Sequence, residues 1–355
     1  MSFKEGLAGK LEGLDRGELK RKNVVLLPDC YIDRLIYVKH DLDKFLDLMR
    51  EVALSGGGAI QGYVQEEVRG GNAANTAATL ASLGFKPTLI CRADEYGRKA
   101  LEEFFKGLEV ELRVKGGEGR SMTVSFEIPL NGNCVNVMFG YPGPLSDFGP
   151  ECLDPEDLTL IGGADLLGIF NWARNTAKGT ELFEAVTKYF KEKGKGVVYA
   201  DIADPRPRLS DLPSLIGRVL SPGLVDFLSL NESEALTLYG ALKGGEGLSP
   251  SEAVLCLSER FNFKIVFHTV NYSSVIERGR YLAKIPSFDV KPLRATGAGD
   301  VFNGGFIAGI LMGLSYAEAL LLGNACAGYY LSKGSLPSLT DLIKFLKRAN
   351  LREEV

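Results

Sequence analysis

Apolar residues follow two alternating patterns along this chain. Short continuous apolar runs end in polar residues, and the longer stretches between them place apolar residues three and four positions apart. The short runs predict buried strands, and the longer stretches predict amphipathic helices. This order predicts an α/β fold, a doubly wound and mostly parallel sheet with helices on both faces. Strands are expected at residues 24–27, 88–91, 166–170, 196–200, 227–230 and 265–268.

A second group of strands has the pattern of a half-exposed sheet. Apolar and polar residues alternate on either side of Asn131-Gly132, a dipeptide that is a strong signal for a two-residue hairpin. A flap built from strands and inserted into an α/β domain would close over a cleft as a lid. The small β-sheet of this lid is expected from about residues 31–39, 61–69 and 110–140.

The two ends of the chain fall outside the alternating pattern. Residues 1–22 place Leu7 and Leu11 on one helical face that acids and glycines interrupt, which predicts an N-terminal helical extension and not a signal peptide. Residues 23–345 would form the α/β domain, and residues 346–355 a C-terminal tail. No apolar stretch is long enough to span a bilayer, so no membrane partner is expected.

Composition narrows the classes of function. The chain has 355 residues, of which 45% are hydrophobic, enough for a large buried core. A formal net charge of -4 provides no basic surface for nucleic acid. Six scattered cysteines without metal-binding spacing predict reduced thiols and a cytoplasmic protein, and the two histidines form no recognisable metal site with them.

The segment 294–300, Arg-Ala-Thr-Gly-Ala-Gly-Asp, combines a glycine turn with the start of an apolar helix. Its small residues allow a tight turn, and the apolar residues of 301–314 have helical spacing. A helix that begins here would direct free N–H groups and the positive end of its dipole at an anion such as a phosphoryl group. Asp300 could then accept the proton of an attacking alcohol. Taken alone, the motif would more often be a turn with Asp300 as a helix cap.

Other polar residues are expected at the carboxyl ends of strands, where doubly wound sheets bind ligands. Asp33 follows the first strand, and Asn75 lies one turn into a helix preceded by a glycine pair that includes Gly71. Asn231 and Glu234 follow a later strand, but an Asn-x-x-Glu pair is also a helix-capping pattern. No Gly-x-Gly-x-x-Gly follows the first strand, which disfavours a dehydrogenase.

Three motifs together resemble the ribokinase-like carbohydrate kinases, the PfkB family. They are Gly-Gly-Asn-Ala-Ala-Asn at 70–75, Asn-Glu-Ser-Glu at 231–234 and Thr-Gly-Ala-Gly-Asp at 296–300, and their order and spacing agree over about residues 23–345. The resemblance implies an Mg²⁺-dependent phosphotransferase that moves a phosphoryl group from ATP or ADP to an alcohol of a sugar or sugar phosphate. A nucleoside kinase of the same family and a catalytically silent sugar or nucleotide sensor remain the alternatives.

The resemblance also implies roles for individual residues. The general base and the backbone amides of the anion hole would come from Asp300, Gly297, Ala298 and Gly299. Hydroxyl groups of the acceptor would be bound by Asp33, Gly71 and Asn75. The nucleotide would be bound by Asn231, Glu234, Thr269, Thr296 and Asn324. Of these, Asn231 and Glu234 would position Mg²⁺ largely through water, because this ion usually keeps several water ligands.

The chain departs from the family pattern in places that bear on the substrate. Arg294-Ala295 stands where relatives commonly have Asp-Thr, and in some relatives that Asp belongs to a monovalent-cation site, so potassium activation is not predicted. Arg92 and Arg174 add guanidinium groups near strand ends, which could bind a phosphate on the acceptor or form surface ion pairs. Some relatives pair through their lids, so a homodimer through the lid sheet is expected.

Overall fold

The computed structural model describes residues 2–130, 133–243, 247–294 and 296–353. The predicted Asn131-Gly132 turn and Ala295 lie outside the described residues. The strands are β1 (Val24–Leu27), β2 (Tyr31–Tyr37), β3 (Val64–Gly70), β4 (Thr88–Ala93), β5 (Glu111–Gly116), β6 (Met122–Leu130), β7 (Asn133–Tyr141), β8 (Leu166–Phe170), β9 (Val197–Asp201), β10 (Phe227–Leu230), β11 (Lys264–His268), β12 (Tyr272–Glu277) and β13 (Arg280–Pro286).

The helices alternate with these strands over most of the chain. They are α1 (Phe3–Glu12), α2 (Arg16–Lys20), α3 (Leu42–Leu54), α4 (Asn72–Ser82), α5 (Glu95–Phe104), α6 (Pro155–Gly162), α7 (Gly179–Lys193), α8 (Leu212–Leu215), α9 (Glu232–Lys243), α10 (Pro250–Arg260), α11 (Ala298–Leu311), α12 (Tyr316–Lys333) and α13 (Leu339–Arg348). Within the described ranges, no helix combines the length and the apolar character needed to cross a bilayer.

The described strands form one large sheet and one small sheet. The large sheet has nine strands in the order β13-β12-β11-β10-β9-β8-β1-β4-β5. The run from β11 to β5 is parallel, and β12 and β13 add an antiparallel edge. One face of this sheet packs against α4, α11, α12 and α13, and the other packs against α7, α9 and α10. The predicted doubly wound α/β fold is therefore confirmed.

The small sheet has the strand order β3-β2-β6-β7. Strand β2 pairs with β3 in an antiparallel and with β6 in a parallel arrangement, and β7 forms the edge beside β6. Within the stretch 110–140, from which lid strands were expected, β6 and β7 belong to the small sheet, whereas β5 pairs with β4 in the large sheet. The physical reason is packing: Leu112 and Val114 lie against the large apolar core.

The described residues near both ends of the chain pack against the domain. Leu7 and Leu11 of α1 are buried in the core cluster that also contains the buried residues of α13. The expected C-terminal tail at 346–355 does not begin at its predicted boundary, since α13 continues to Arg348 and Leu346 is fully buried. Beyond α13, Leu351 forms an antiparallel bridge with Phe288. The last described residues are therefore placed beside the loop that follows β13.

Candidate active site

Helix α11 begins at the glycine turn, as the spacing of its apolar residues predicts. Gly297 is the N-cap, with φ of 86°, a left-handed conformation that side chains other than glycine rarely adopt. The N–H groups of Ala298 and Gly299, in the first turn, have no acceptor among the described residues. The Tyr330 hydroxyl donates to the Thr296 carbonyl at 2.9 Å and so fixes the turn. This helix end is suited to an anion.

Asp300 lies in the first turn of α11 with one carboxylate oxygen already bound. Asn75 donates from Nδ2 to Oδ2 of Asp300 at 2.9 Å. Burial raises the pKa of Asp300 to about 8, and the carboxyls of Asp201, Asp29 and Asp33 add to the shift, whereas the hydrogen bond from Asn75 opposes it. A carboxylate with a raised pKa beside an anion site has the properties of a general base.

The position of Asn75 depends on a buried carboxylate that sequence reasoning missed. Asp29 is fully buried, and it accepts hydrogen bonds from the N–H groups of Asn72 and Ala73, each at 2.8 Å, at the start of α4. It also accepts from Nδ2 of Asn171 at 2.8 Å. Gly71 has φ of 96°, and a Cβ there would lie 2.9 Å from Oδ2 of Asp29. The available signal was an acid that follows a buried strand.

Asp33 and Arg69 complete the side of the cleft next to α4. A Cβ at Gly70 would lie 2.2 Å from the Asp33 carboxyl, so the glycine makes room for that side chain. Burial raises the pKa of Asp33 to about 6, partly opposed by a hydrogen bond with Thr123. Arg69 donates from Nε to Oδ1 of Asn75 at 3.2 Å. Arg69, Asn75 and Asp300 thus form a continuous chain of hydrogen bonds.

The small sheet touches the glycine turn directly. Asn136 of β7 donates from Nδ2 to Oγ1 of Thr296 at 2.7 Å. In the strand registers, Asp33 pairs with Thr123, and Asn136 pairs with Glu127, four residues farther along β6 than Thr123. Side chains alternate between the faces of a strand, so these residues share one face. The lid therefore covers the cleft with the face that carries Asp33, and Asn136 is a contact that sequence reasoning missed.

A cavity lies beside the anion site at the start of α11. Its volume is about 480 Å³, and its lining includes Asn231, Thr269, Ala298, Gly299, Asn324 and Arg352. The Nδ2 group of Asn324 donates to the carbonyls of Ile285 and Pro286 at 3.3 and 3.1 Å. The described residues thus bring the predicted Asn231, Thr269 and Asn324 together. Arg352 comes from the segment predicted to be a tail, and its buried Nε has no hydrogen-bond partner among the described residues.

Asn231 and Glu234 cap α9 in a reciprocal arrangement. Oδ1 of Asn231 accepts from the Glu234 N–H at 3.0 Å, and Oε2 of Glu234 accepts from the Asn231 N–H at 2.9 Å. The helix-cap interpretation is confirmed, and a role in metal binding stays a prediction. Burial, followed by the charge of Asp201, raises the pKa of Glu234 to about 8. Asp201 is held in turn by Nδ2 of Asn303 at 2.8 Å.

The donor set fits Mg²⁺ only through water and phosphate oxygens. Among the described residues, no three His, Cys, Asp or Glu side chains are arranged to hold a metal ion. Nevertheless, Glu234, Asp201 and Asp300 are close enough for the charges of Asp201 and Asp300 to raise the pKa of Glu234. A divalent cation would relieve this repulsion. This arrangement suits an ion that keeps its water ligands and contacts few protein groups directly.

A family model and several known proteins match this chain. A model of the pfkB family carbohydrate kinases matches residues 50–339. The chain belongs to this family. The Lactococcus lactis ribokinase is 26% identical over 172 residues, 47% of this chain and 50% of that protein. The bifunctional protein HldE of Hyphomonas neptunium is 25% identical over 344 residues, 94% of this chain and 65% of that protein. The chain thus spans half to two thirds of the length of these two relatives.

Solved structures show the same fold as this pfkB family member. A probable sugar kinase from Rhizobium etli aligns with a TM-score of 0.72 at 18% identity, over 93% of this chain and 98% of that one. The Arabidopsis thaliana ribokinase complexed with ribose and ATP aligns with a TM-score of 0.67 at 19% identity, over 92% of this chain and 99% of that one. At these identities the likeness establishes the fold alone.

The two arginines predicted to bind a phosphate in this pfkB family member have different surroundings. Arg92 donates from Nε to the Gly116 carbonyl at 3.0 Å and forms an ion pair with Asp147 at 2.8 Å. This contact corresponds to the surface ion-pair alternative. Arg174 is exposed beyond β8. Burial raises the pKa of Tyr31, and the charge of Arg174 only opposes that rise. Neither arginine lines the cavity that contains Asn75 and Gly297.

Proposed function

We propose that the protein transfers a phosphoryl group from ATP, or ADP as the alternative, to a hydroxyl of a sugar or sugar phosphate. One observation carries the proposal: the start of α11, which carries Asp300 and the amides of Ala298 and Gly299, lies between two cavities. Asn75 and Gly297 line a cavity of about 580 Å³, and Ala298 and Gly299 line the other cavity of about 480 Å³. The acceptor would lie beside Asp300, at the end of the first cavity that Asn75 and Gly297 line, and the nucleotide would occupy the second cavity.

Asp300 would act as the general base. Asn75 holds Oδ2 of Asp300, which leaves Oδ1 for the hydroxyl of the acceptor. As this hydroxyl attacks, its proton passes to Asp300, and the N–H groups of Gly297, Ala298 and Gly299 bind the charged oxygens of the phosphoryl group. Asp33 and the backbone at Gly71 would orient other hydroxyls. The lid excludes water, which would otherwise compete with the acceptor.

The nucleotide would occupy the cavity that Thr269 and Asn324 line, with Thr296 in the adjacent glycine turn, where its hydroxyl contacts Asn136 of the lid. The structure of a ribokinase complexed with ribose and ATP supports ATP as the donor. Glu234 and Asn231 would hold Mg²⁺ through its water ligands. When bound, this ion would neutralise negative charge on the phosphate groups. Asn231 and Glu234 would position the ion, because their reciprocal hydrogen bonds fix both side chains at the start of α9.

A two-way substrate screen tests this function. Sugars, sugar phosphates and nucleosides are each combined with ATP and with ADP in the presence of Mg²⁺, and the phosphorylated product is measured. Transfer to a sugar or sugar phosphate supports the proposal, whereas transfer to nucleosides alone would identify a nucleoside kinase. Ligand binding with no transfer to any acceptor would contradict the proposal and indicate a sugar or nucleotide sensor.

Arg352 is expected to contribute to nucleotide binding. Its guanidinium lines the cavity beside α11, and its buried Nε has no partner among the described residues. We expect Arg352→Ala to raise the KM for the nucleotide by roughly tenfold, the loss of about 1.5 kcal/mol from one charged hydrogen bond. The KM for the acceptor should stay unchanged. Arg348→Ala, at an exposed position of α13, is the matched control, and equal nucleotide KM values in the two variants would contradict this role.

The outer face of β7 is expected to form a homodimer. Val137, Phe139 and Tyr141 are 45, 66 and 64% exposed on this edge strand. An exposed apolar edge strand usually packs against another protein surface, and the same sheet of a second copy of the chain could provide that surface. Light scattering should give the mass of a dimer, Phe139→Lys should give a monomer, and Leu209→Lys, at another exposed apolar position, should stay dimeric. A monomeric wild-type protein would contradict this assembly.

A further inference from the structure

The cavity that Asn75 and Gly297 line contains two guanidinium groups, and neither has a carboxylate partner in the part of the chain that the structure describes. Arg69 donates to Oδ1 of Asn75 and, at 3.5 Å, to the Phe104 carbonyl, both of which are neutral groups. Arg294 lies 5.8 Å from the centre of the Tyr330 ring, and its Nε is buried with no hydrogen-bond partner among the described residues. Both side chains line the cavity of about 580 Å³ that also includes Asn75 and Gly297.

The acidic residues that line this cavity do not neutralise the two arginines. Glu67 forms an ion pair with Arg34, on the neighbouring strand. Asp341 accepts from the Ser338 N–H at 3.0 Å and from the Ser338 hydroxyl at 2.6 Å, as part of the cap of α13. Within the described ranges, neither Arg69 nor Arg294 has a carboxylate within ion-pair distance.

Two guanidinium cations that lie close together in a partly buried cavity, with no carboxylate in contact, raise the free energy of the folded protein. The pKa of Arg69 reflects this cost: burial, together with the charge of Arg294, lowers it to about 10, against the effects of Tyr330 and Asp300. An anion bound between the two guanidinium groups would remove both the repulsion and the unsatisfied Nε of Arg294. Guanidinium groups bind phosphate and carboxylate oxygens with paired hydrogen bonds.

We propose that the acceptor carries an anionic group, and that Arg294 and Arg69 bind this group in the cavity beside Asn75. This inference rests on the proposed function. Asn75 contacts both Asp300 and Arg69, and the charge of Asp300 acts on Arg69, so a single side chain separates the general base from this arginine. An anionic group bound at the arginines would therefore lie beside the position of the reacting hydroxyl. Two cations match the double charge of a phosphate monoester better than the single charge of a carboxylate.

Substitution of Arg294 gives the sharpest test, since Arg69 also holds Asn75. The KM of wild-type protein, Arg294→Ala and Arg294→Lys is measured for ribose 5-phosphate, gluconate and ribose. Arg294→Ala should raise the KM for the phosphorylated sugar at least tenfold and change that for ribose less than twofold. Lysine should restore only part of the loss, because an ammonium group cannot form paired hydrogen bonds. The control is Arg98→Ala, at an exposed position on α5 with an ion pair to Glu95.

Binding measurements separate this inference from the proposed transfer reaction. In an Asp300→Asn background, calorimetry measures ribose 5-phosphate, gluconate, ribose and inorganic phosphate with and without Arg294→Ala. Binding of ribose 5-phosphate that depends on Arg294 supports the anion subsite even if no transfer to any acceptor is found. A preference for gluconate would identify a carboxylate as the anionic group. The inference is overturned if neither anionic sugar binds more tightly than ribose, or if Arg294→Ala binds ribose 5-phosphate unchanged while its thermal unfolding shows an intact fold.

Discussion

Asp300→Asn is expected to lower kcat by about 10²–10⁴, the usual contribution of a general base. The asparagine has the same shape and can still accept the hydrogen bond from Nδ2 of Asn75, but its amide cannot take up the proton of the acceptor. Nucleotide binding should persist, because the amides of Ala298 and Gly299 are unchanged. Steady-state kinetics and calorimetry measure the two effects. A variant that keeps more than half of the wild-type kcat would contradict the role of Asp300.

The raised pKa of Asp300 makes this experiment dependent on pH. Asp300 must be ionised to accept a proton, so the kcat/KM of the wild-type protein should rise with pH up to about 8. Glu234 also has a pKa of about 8, and the charge of Asp300 contributes to that shift, so the titration belongs to the pair. Asp300→Asn should remove the Asp300 component and leave a residual activity that varies less with pH.

The same pKa shift provides an internal control on folding. The folded protein holds the proton of Asp300 up to about pH 8, whereas the unfolded chain releases it near 3.8. The folded state thus binds more protons in this interval, so this group lowers the free energy of unfolding as the pH rises from about 4 to 8. Asn carries no charge and avoids the loss. At pH 8 Asp300→Asn should therefore unfold at the same or a higher temperature than wild type, which separates lost catalysis from lost structure.

Local sequence signals predicted their structures well. Ser249 with Glu252 and Ser315 with Glu318 form the capping boxes of α10 and α12, and each pair has the Ser-x-x-Glu spacing that marks such a box in a sequence. The glycine turn before α11 likewise begins a helix at the expected place, with Gly297 as its cap. These features depend on hydrogen bonds within one turn of chain, so the residues that decide them are adjacent in the sequence.

Sheet membership was harder to predict, because an alternating strand has the same pattern in either sheet. The residues of β5 lie close in sequence to the lid strands, yet Leu112 and Val114 find apolar partners in the large core. The antiparallel strands β12 and β13 were not expected at all, since polar residues occupy much of the loop and edge around them. The sheet membership of β5 and the formation of β12 and β13 depend on pairing with distant strands, and the local sequence pattern does not encode that pairing.

In the candidate site, residues within the family motifs were predicted, and several residues outside the motifs were not. The family motifs identified Asn75 and Asp300, which lie 225 residues apart and share a hydrogen bond. Asn136, whose partner Thr296 is 160 residues away, lies outside all three motifs. Arg69 and Arg352 were not predicted either, since isolated arginines are common at protein surfaces. Only the folded chain reveals that their guanidinium groups line the two cavities.

Asp29→Asn is expected to destabilise the protein by about 2–3 kcal/mol, because a buried donor loses its acceptor. Oδ1 of Asp29 accepts from the Ala73 N–H, and Oδ2 accepts from both the Asn72 N–H and Nδ2 of Asn171. An asparagine offers one acceptor oxygen, so its NH₂ group must face at least one of these donors. A flip of the Asn171 amide would present Oδ1 to the new NH₂ group, but a backbone N–H of α4 would still point at a donor.

The loss should appear in stability and in acceptor binding together. The midpoint of urea unfolding should fall for Asp29→Asn, and the KM for the acceptor should rise because the start of α4 positions Gly71 and Asn75. Asp41→Asn is the matched control: Asp41 caps α3 by accepting from the Lys44 N–H at 2.9 Å, it is exposed, and asparagine caps helices about as well as aspartate. If Asp29→Asn unfolds at the same urea concentration as Asp41→Asn and wild type, Asp29 does not hold α4 in the way its hydrogen bonds indicate.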